Sequence, residues 1–125
     1  MNHPPHLQVR FECDVKTDQR TVEKILSDFA EVARHQHGVI EYQSFIDKQS
    51  GKVILNEIYD DAASFVKHVN DPAIQATMPN LMKNLTIRNI EACGPVNPEA
   101  RKIIEGLGSA RFAEPWTGFN NIQRK

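Results

Sequence analysis

His68 and Glu57 are the side chains of this 125-residue chain whose types and positions best suit proton transfer. His68 follows Asp61 by seven residues and Phe65 by three, which places it near the inward stripe of a predicted helix. An imidazole titrates close to neutral pH, so it can act as a general base when it lies in a pocket. The alternative interpretation is a structural histidine that is partly exposed or hydrogen-bonded.

Glu57 lies in an apolar strand predicted at 53–59, where a carboxylate needs a partner. A salt bridge to Arg10 or Arg88 on a neighbouring strand is the favoured interpretation. A role in acid–base chemistry is the less favoured one.

The sequence gives little support to metal or disulfide chemistry. His35 and His37 supply two ligands, which is too few, and a helix C-terminus favours histidine in any case. Cys13 and Cys93 form no CxxC motif, so we expect two free thiols.

Composition excludes several classes of protein. The net charge is −1, with 40% hydrophobic and 25% charged residues, which is ordinary for a globular domain and gives no nucleic-acid footprint. No apolar run approaches the roughly 18 residues of a membrane span, and the first ten residues contain no signal-peptide core. We therefore expect a cytoplasmic protein with no membrane or nucleic-acid partner.

Hydrophobic periodicity predicts the elements that position these residues. A period of two indicates strands, and spacings of three and four indicate helices with one apolar stripe. In chain order we predict a strand at 7–13, a helix at 22–33, strands at 39–46 and 53–59, a helix at 62–69, a helix at 72–85 that Pro79 kinks or splits, and a strand at 86–92.

This order predicts an α+β fold of the ferredoxin-like split βαβ type, with a four-stranded antiparallel sheet and helices on one face. Right-handed crossovers place the first strand between the third and the fourth, so Cys13 and Cys93 lie at opposite edges of the sheet. We assign residues 1–95 to this domain. Residues 96–125 form a C-terminal extension, with a helix at 98–106 and a loop-like tail that holds Phe112, Trp116 and Phe119. We expect the extension to pack on the domain or on a partner subunit, because disordered tails rarely carry three aromatic residues.

The third strand has apolar side chains on both faces, which predicts a homodimer. Ile54 and Ile58 must point away from the helices. Burying one such side chain contributes roughly 1.5–3 kcal/mol, and two-fold symmetry doubles the gain. The alternative is a sheet that the C-terminal extension alone covers.

Residues 31–69 resemble the antibiotic biosynthesis monooxygenase family. The residues that carry the resemblance are the helix end and glycine at 33–38, Ile40-Glu41-Tyr42, the strand end at 56–59, and Asp61 to Phe65 with His68. The resemblance extends over roughly residues 7–93. It implies a dimeric α/β barrel with a pocket between the helices and the sheet.

The same resemblance implies a cofactor-independent monooxygenase, without metal or flavin, that acts on a small aromatic or quinol-like substrate. Haem degradation is disfavoured, because Thr77 or its neighbours occupy the place of that branch's haem-ligating histidine. The alternative is a non-catalytic dimeric α/β barrel, either a ligand-binding or a stress-associated protein. The residues we expect in catalysis are His68, Asn56 and Tyr59. Those we expect to line the substrate pocket are Phe65, Met78, Met82 and, where the tail folds back over the mouth, Trp116.

Overall fold

A computed structural model describes residues 5–121. The elements in chain order are β1 (Leu7–Val15), α1 (Gln19–Arg34), β2 (Val39–Ile46), β3 (Lys52–Tyr59), α2 (Ala62–Val69), α3 (Pro72–Asn84), β4 (Leu85–Cys93), α4 (Pro98–Leu107) and β5 (Ala110–Ala113).

The strands form one mixed sheet in the order β2-β3-β1-β4-β5. β1 pairs antiparallel with β3 and β4, and β2 pairs antiparallel with β3, which confirms the split βαβ arrangement. The sheet has five strands rather than the four predicted, because residues 110–113 pair parallel with β4. Four residues are too few to show a clear alternation, so this strand gave no sequence signal and was wrongly predicted as a loop.

Aspartates cap the three helices that cover the sheet. Asp18 accepts a hydrogen bond from the Thr21 amide at 3.0 Å, and Asp61 accepts one from the Ser64 amide at 2.9 Å. Each cap satisfies a backbone amide that the helix itself leaves unpaired. α3 runs through Pro79 as one helix, so of the two predicted alternatives, a kink or a split, the split is wrong. Its buried residues Ile74 and Leu81 hold both halves against the core.

The two faces of the sheet differ in kind. On β3 the odd-numbered residues from Val53 to Tyr59 are buried under the helices, and the even-numbered residues are half-buried on the opposite face. We call these the inner face and the outer face. The inner face carries the apolar core, which continues into the buried stripes of α1, α2 and α3.

The outer face is rich in ion pairs. Arg10 lies 3.8 Å from Glu91, and Lys52 lies 3.6 Å from Glu12. Arg88 pairs with Asp14 in the same layer. Ile54 and Ile58 also lie on this face, as their alternation with Glu57 requires. The homodimer stays a prediction.

The first part of the C-terminal extension packs on the domain. Ala100 and Ile104 of α4 are fully buried, and the Arg101 guanidinium lies 3.9 Å from the centre of the Phe112 ring. The tail beyond β5 behaves differently, because Trp116 is 97% exposed and Phe119 is 88% exposed.

Cys13 is buried and Cys93 is exposed, and both are free, as predicted. Cys13 pairs with Ile87 across β1 and β4, whereas Cys93 pairs with Gln8 at the other end of β1. Within residues 5–121, none of the helices is both long and apolar enough to cross a membrane.

Candidate functional site

A small cavity of about 40 Å³ lies between the inner face of the sheet and the helices. Three polar side chains that can take part in proton transfer reach it: Tyr42 from β2, Glu57 from β3 and His68 from α2. The rest of the lining is apolar and consists of Phe11, Cys13, Phe29, Leu55, Phe65, Val69, Ile74, Met78, Leu81, Leu85, Ile87 and Leu107.

Glu57 is 4% exposed and lies at the centre of this group. It shares the inner face with Tyr59, two residues along β3, and the Tyr59 hydroxyl donates a hydrogen bond to Glu57 Oε1. Tyr42 lies directly opposite Glu57 in the β2–β3 register and donates to the same carboxylate. Two phenols therefore hold the carboxylate, with no cation beside it among the partners that the structure describes.

Burial raises the pKa of Glu57 to about 7, although the hydrogen bonds from Tyr59 and Tyr42 favour the charged form. Burial and the nearby Glu57 charge raise the pKa values of both tyrosines well above 10. Both phenols therefore stay protonated at neutral pH and act as donors. Glu57 exchanges its proton in the range where a general base works best.

The salt bridge predicted for Glu57 is wrong. Arg10 and Arg88 lie on the outer face, where they pair with Glu91 and Asp14. The reason is the strand period of two: Glu57 is in phase with Leu55 and Tyr59, which face the helices, and Arg10 is out of phase with them. The sequence contains this information, because Glu57 alternates in phase with the apolar residues Val53, Leu55 and Tyr59 and therefore shares their face of the strand.

His68 is 4% exposed and packs against the two tyrosines. Its ring centre lies 5.2 Å from that of Tyr42 and 5.7 Å from that of Tyr59. Its Nδ1 atom lies 2.6 Å from Oε1 of Gln36. Burial lowers the pKa of His68 to about 4, and the Asp71 charge opposes this shift. The imidazole is therefore neutral at pH 7.

The difference between the two pKa values decides which group is the stronger base. Glu57, at about 7, holds a proton more tightly than His68, at about 4. A gap of this size corresponds to ~4 kcal/mol in favour of proton transfer to Glu57. The arrangement therefore suits a carboxylate base that works beside a neutral imidazole.

The structure brings together part of the predicted site. His68, Phe65 and Met78 line the cavity, and Tyr59 reaches it through its contact with Glu57. Asn56 does not, because it lies on the outer face and bonds Gln8 at 2.7 Å and Glu41 at 2.7 Å.

Two predicted pocket residues also lie elsewhere. Met82 is absent from the cavity lining, and its carbonyl oxygen accepts a hydrogen bond from Lys16 at 3.2 Å. Trp116 is exposed in the tail and does not line the cavity. Met82 and Met78 are one helical turn apart on the same side of α3, so helical spacing alone could not show which of them reaches the cavity.

Sequence reasoning did not select Tyr42 and Gln36. Tyr42 was named only as part of the segment Ile40-Glu41-Tyr42, and only the strand register shows that it meets Glu57. Gln36 contacts His68 across 32 positions of the chain, and no local pattern signals such a contact. Among residues 5–121, no group of three or more His, Cys, Asp or Glu side chains could hold a metal ion.

Comparison with solved structures shows the same fold in several proteins. MupZ from Pseudomonas fluorescens is 17% identical with a TM-score of 0.71, and the match covers 93% of this chain and 94% of that chain. SnoaB from Streptomyces nogalater, described as a cofactor-independent oxygenase, is 11% identical with a TM-score of 0.66, and the match covers 74% of this chain and 94% of that chain. Rv0793 from Mycobacterium tuberculosis is 16% identical with a TM-score of 0.65, over 74% of this chain and 97% of that chain.

The match to MupZ covers more of the chain than residues 1–95 could supply, so it includes much of the C-terminal extension. No curated protein sequence matches the chain. Residues 8–80 match the family profile described as antibiotic biosynthesis monooxygenase. This segment is more than half of the chain and contains β1 to α2, with Tyr42, Glu57 and His68. The chain belongs to the antibiotic biosynthesis monooxygenase family.

Proposed function

We propose that this protein is a cofactor-independent monooxygenase that acts on a small phenolic or quinol-type molecule, with Glu57 as the general base. The observation that carries the proposal is a buried carboxylate, with its pKa raised to about 7, at an apolar cavity. Membership of a monooxygenase family supports it. The description of SnoaB as a cofactor-independent oxygenase points in the same direction.

Glu57 removes the proton of a substrate hydroxyl. A phenol has a pKa of about 10, so transfer to a base with a pKa near 7 is uphill by roughly 4 kcal/mol, an ordinary part of an enzymatic barrier. The Tyr42 and Tyr59 hydroxyls then hold the newly protonated carboxyl in place. His68, which is neutral, accepts a hydrogen bond from the substrate and orients it.

The substrate supplies all the electrons in this chemistry. The phenolate gives one electron to O₂, and the resulting radical pair combines at a ring carbon to form a peroxide anion. The protonated Glu57 returns its proton to this anion, which gives a hydroperoxide and restores the carboxylate. Loss of water leaves a new carbonyl group. A hydroquinone and one O₂ become a hydroxyquinone and one water, so one oxygen atom enters the product and the other enters water.

The cavity lining selects for an uncharged, planar molecule. Among the described residues that line it, none is lysine or arginine. A carboxylate or phosphate substrate would therefore enter without a counter-ion, which is costly. Apolar walls also exclude water from the reactive anion.

An aromatic ring needs more room than this conformation offers. An apolar cavity that binds benzene measures about 150 Å³, against about 40 Å³ here. Met78 and Leu107 are partly buried residues at the cavity, and a methionine side chain rearranges readily. We propose that these two side chains move when the substrate enters.

Oxygen uptake with simple hydroquinones and anthrone-like phenols tests the proposal. We expect consumption above the buffer rate in the native protein and a loss of ~10²–10⁴-fold in Glu57→Gln, the usual worth of a general base. Glu91→Gln is the matched control, because it makes the same change on the outer face. A native rate equal to that of buffer with every phenol tested would favour the non-catalytic ligand-binding alternative. Equal rates of oxygen uptake in Glu57→Gln and Glu91→Gln would show that Glu57 is not the general base.

A further inference from the structure

We propose that Gln36 and Asp71 are positioning residues that hold the His68 ring in the tautomer with hydrogen on Nδ1, so that Nε2 is the nitrogen available to a substrate in the cavity. The statement about the tautomer stands on geometry alone. The statement about the substrate rests on the proposed function.

Three separate elements meet at this point. Gln36 follows the C-terminal end of α1, His68 lies on α2, and Asp71 is the N-cap residue of α3. Gln36 Oε1 lies 2.6 Å from His68 Nδ1, and Gln36 Nε2 donates to Asp71 Oδ2 at 3.1 Å. The glutamine side chain therefore bridges the imidazole and the carboxylate.

The carboxylate fixes the orientation of the amide. An ionised aspartate accepts hydrogen bonds and cannot donate them, so it selects the NH₂ side of Gln36. Asp71 is itself held in place, because its Oδ1 atom accepts a hydrogen bond from the Ala73 amide at 2.9 Å. Turning the amide over would set its carbonyl oxygen against the carboxylate. The oxygen of Gln36 is therefore the atom that faces His68.

The amide oxygen in turn fixes the imidazole. A carbonyl oxygen only accepts hydrogen bonds, so Nδ1 must carry the hydrogen. In a neutral ring the other nitrogen, Nε2, then has a free lone pair. This arrangement is a tautomer lock rather than a proton relay, because an amide does not readily gain or lose a proton.

Nitrogen-15 NMR of histidine-labelled protein at pH 7 tests the lock directly, since the two nitrogens of a neutral ring have distinct shifts. We expect His68 in the native protein to carry its hydrogen on Nδ1. Gln36→Leu should shift the tautomer ratio about tenfold towards the Nε2–H form, the size that one net hydrogen bond supports. Asp71→Asn should shift the ratio in the same direction, because an amide at position 71 can present either its oxygen or its NH₂ group and no longer selects the NH₂ side of Gln36.

Gln75→Leu is the matched control. Gln75 is exposed on α3 and donates to the Val69 carbonyl at 2.6 Å, away from the ring nitrogens, so the tautomer should not change. A native ring with its hydrogen on Nε2, or an unchanged ratio in Gln36→Leu, would overturn the proposal. The NMR result is independent of turnover: a locked Nδ1–H ring in a protein without oxygenase activity would refute the proposed function and leave the lock standing. In an active enzyme, Gln36→Leu should lower kcat/KM, and Asp71→Asn should lower it by less.

Discussion

Glu57 on β3 and Asp14 on β1 are carboxylates on neighbouring strands of one sheet, and their pKa values shift in opposite directions. Glu57 lies on the inner face, where burial raises its pKa to about 7. Asp14 lies on the outer face, where a hydrogen bond from Arg88 lowers its pKa. The two strands are adjacent, so the difference comes from which face each side chain takes.

The comparison shows how a sheet can separate chemistry from surface charge. On the outer face, Arg88 and Lys52 stabilise the ionised form of Asp14, so it cannot exchange a proton near neutral pH. On the inner face, two neutral phenols hold Glu57 without cancelling its desolvation. A shift of one residue along a strand would move a carboxylate from the buried inner face to the ion-paired outer face and so reverse the direction of its pKa shift.

The largest effects on stability that we predict belong to single variants of Glu57 and His68, because the pH-dependent contributions of these two residues oppose each other. Glu57 has a raised pKa in the folded state, so its contribution is complete below pH 4.5 and is lost as the pH rises to about 7. His68 has a lowered pKa, so its contribution is complete above pH 6.5 and is lost as the pH falls to about 4. The two nearly cancel in the native protein, so its stability should change little across this range.

Single variants should separate the contributions of Glu57 and His68 to stability, which oppose each other in the native protein. We expect the free energy of unfolding of Glu57→Gln to rise by about 3 kcal/mol between pH 4 and 6.5, and that of His68→Asn to fall by a similar amount between pH 4.5 and 7. Urea titrations at several pH values measure both. Parallel pH profiles in the two variants would contradict the assignment of opposite pKa shifts.

A smaller effect should follow from removing one phenol. Tyr59→Phe deletes a hydrogen bond to the Glu57 carboxylate, so the pKa of Glu57 should rise above 7. Hydrogen bonds to charged groups contribute about 1.5–3 kcal/mol, which would move the midpoint by one to two pH units. Carbon-13 NMR of the Glu57 carboxyl measures it. A midpoint that stays the same or falls would show that Tyr59 does not stabilise the charged form.

The smallest effect should come from the outer face. Arg111→Ala removes an exposed partner of Glu91, and exposed ion pairs contribute little because water and salt screen them. We expect a small change in Tm that disappears at high salt and no change in the pKa of Glu57. A large loss of stability, or an altered Glu57 titration, would mean that the two faces are not independent.

The sequence predicted most of the fold because its strands and helices have clear periods. β1, β2 and β3 were placed within one or two residues. β5 was missed, because Ala110–Ala113 is short and pairs only after α4 returns the chain to the edge of the sheet.

The site was harder to predict than the fold. His68 and Phe65 line the cavity and Tyr59 contacts Glu57, because helical spacing and strand phase point these side chains inward. Asn56 was assigned to catalysis although it is out of phase with Tyr59 on the same strand. The contacts of Glu57 with Tyr42, and of His68 with Gln36, join distant parts of the chain and follow only from the packed structure.

The pH dependence of kcat/KM for oxygen uptake, measured with a phenol whose own pKa is about 10, tests the central claim most directly. If Glu57 is the base, the rate should rise with pH through a midpoint near 7, because the carboxyl must be ionised. If His68 were the base, the rate would already be constant above about pH 5, since its pKa is about 4. The account predicts a rise in kcat/KM with a midpoint near pH 7 in the native protein and no such rise in Glu57→Gln. A kcat/KM that does not change between pH 5 and 8 in the native protein would contradict it.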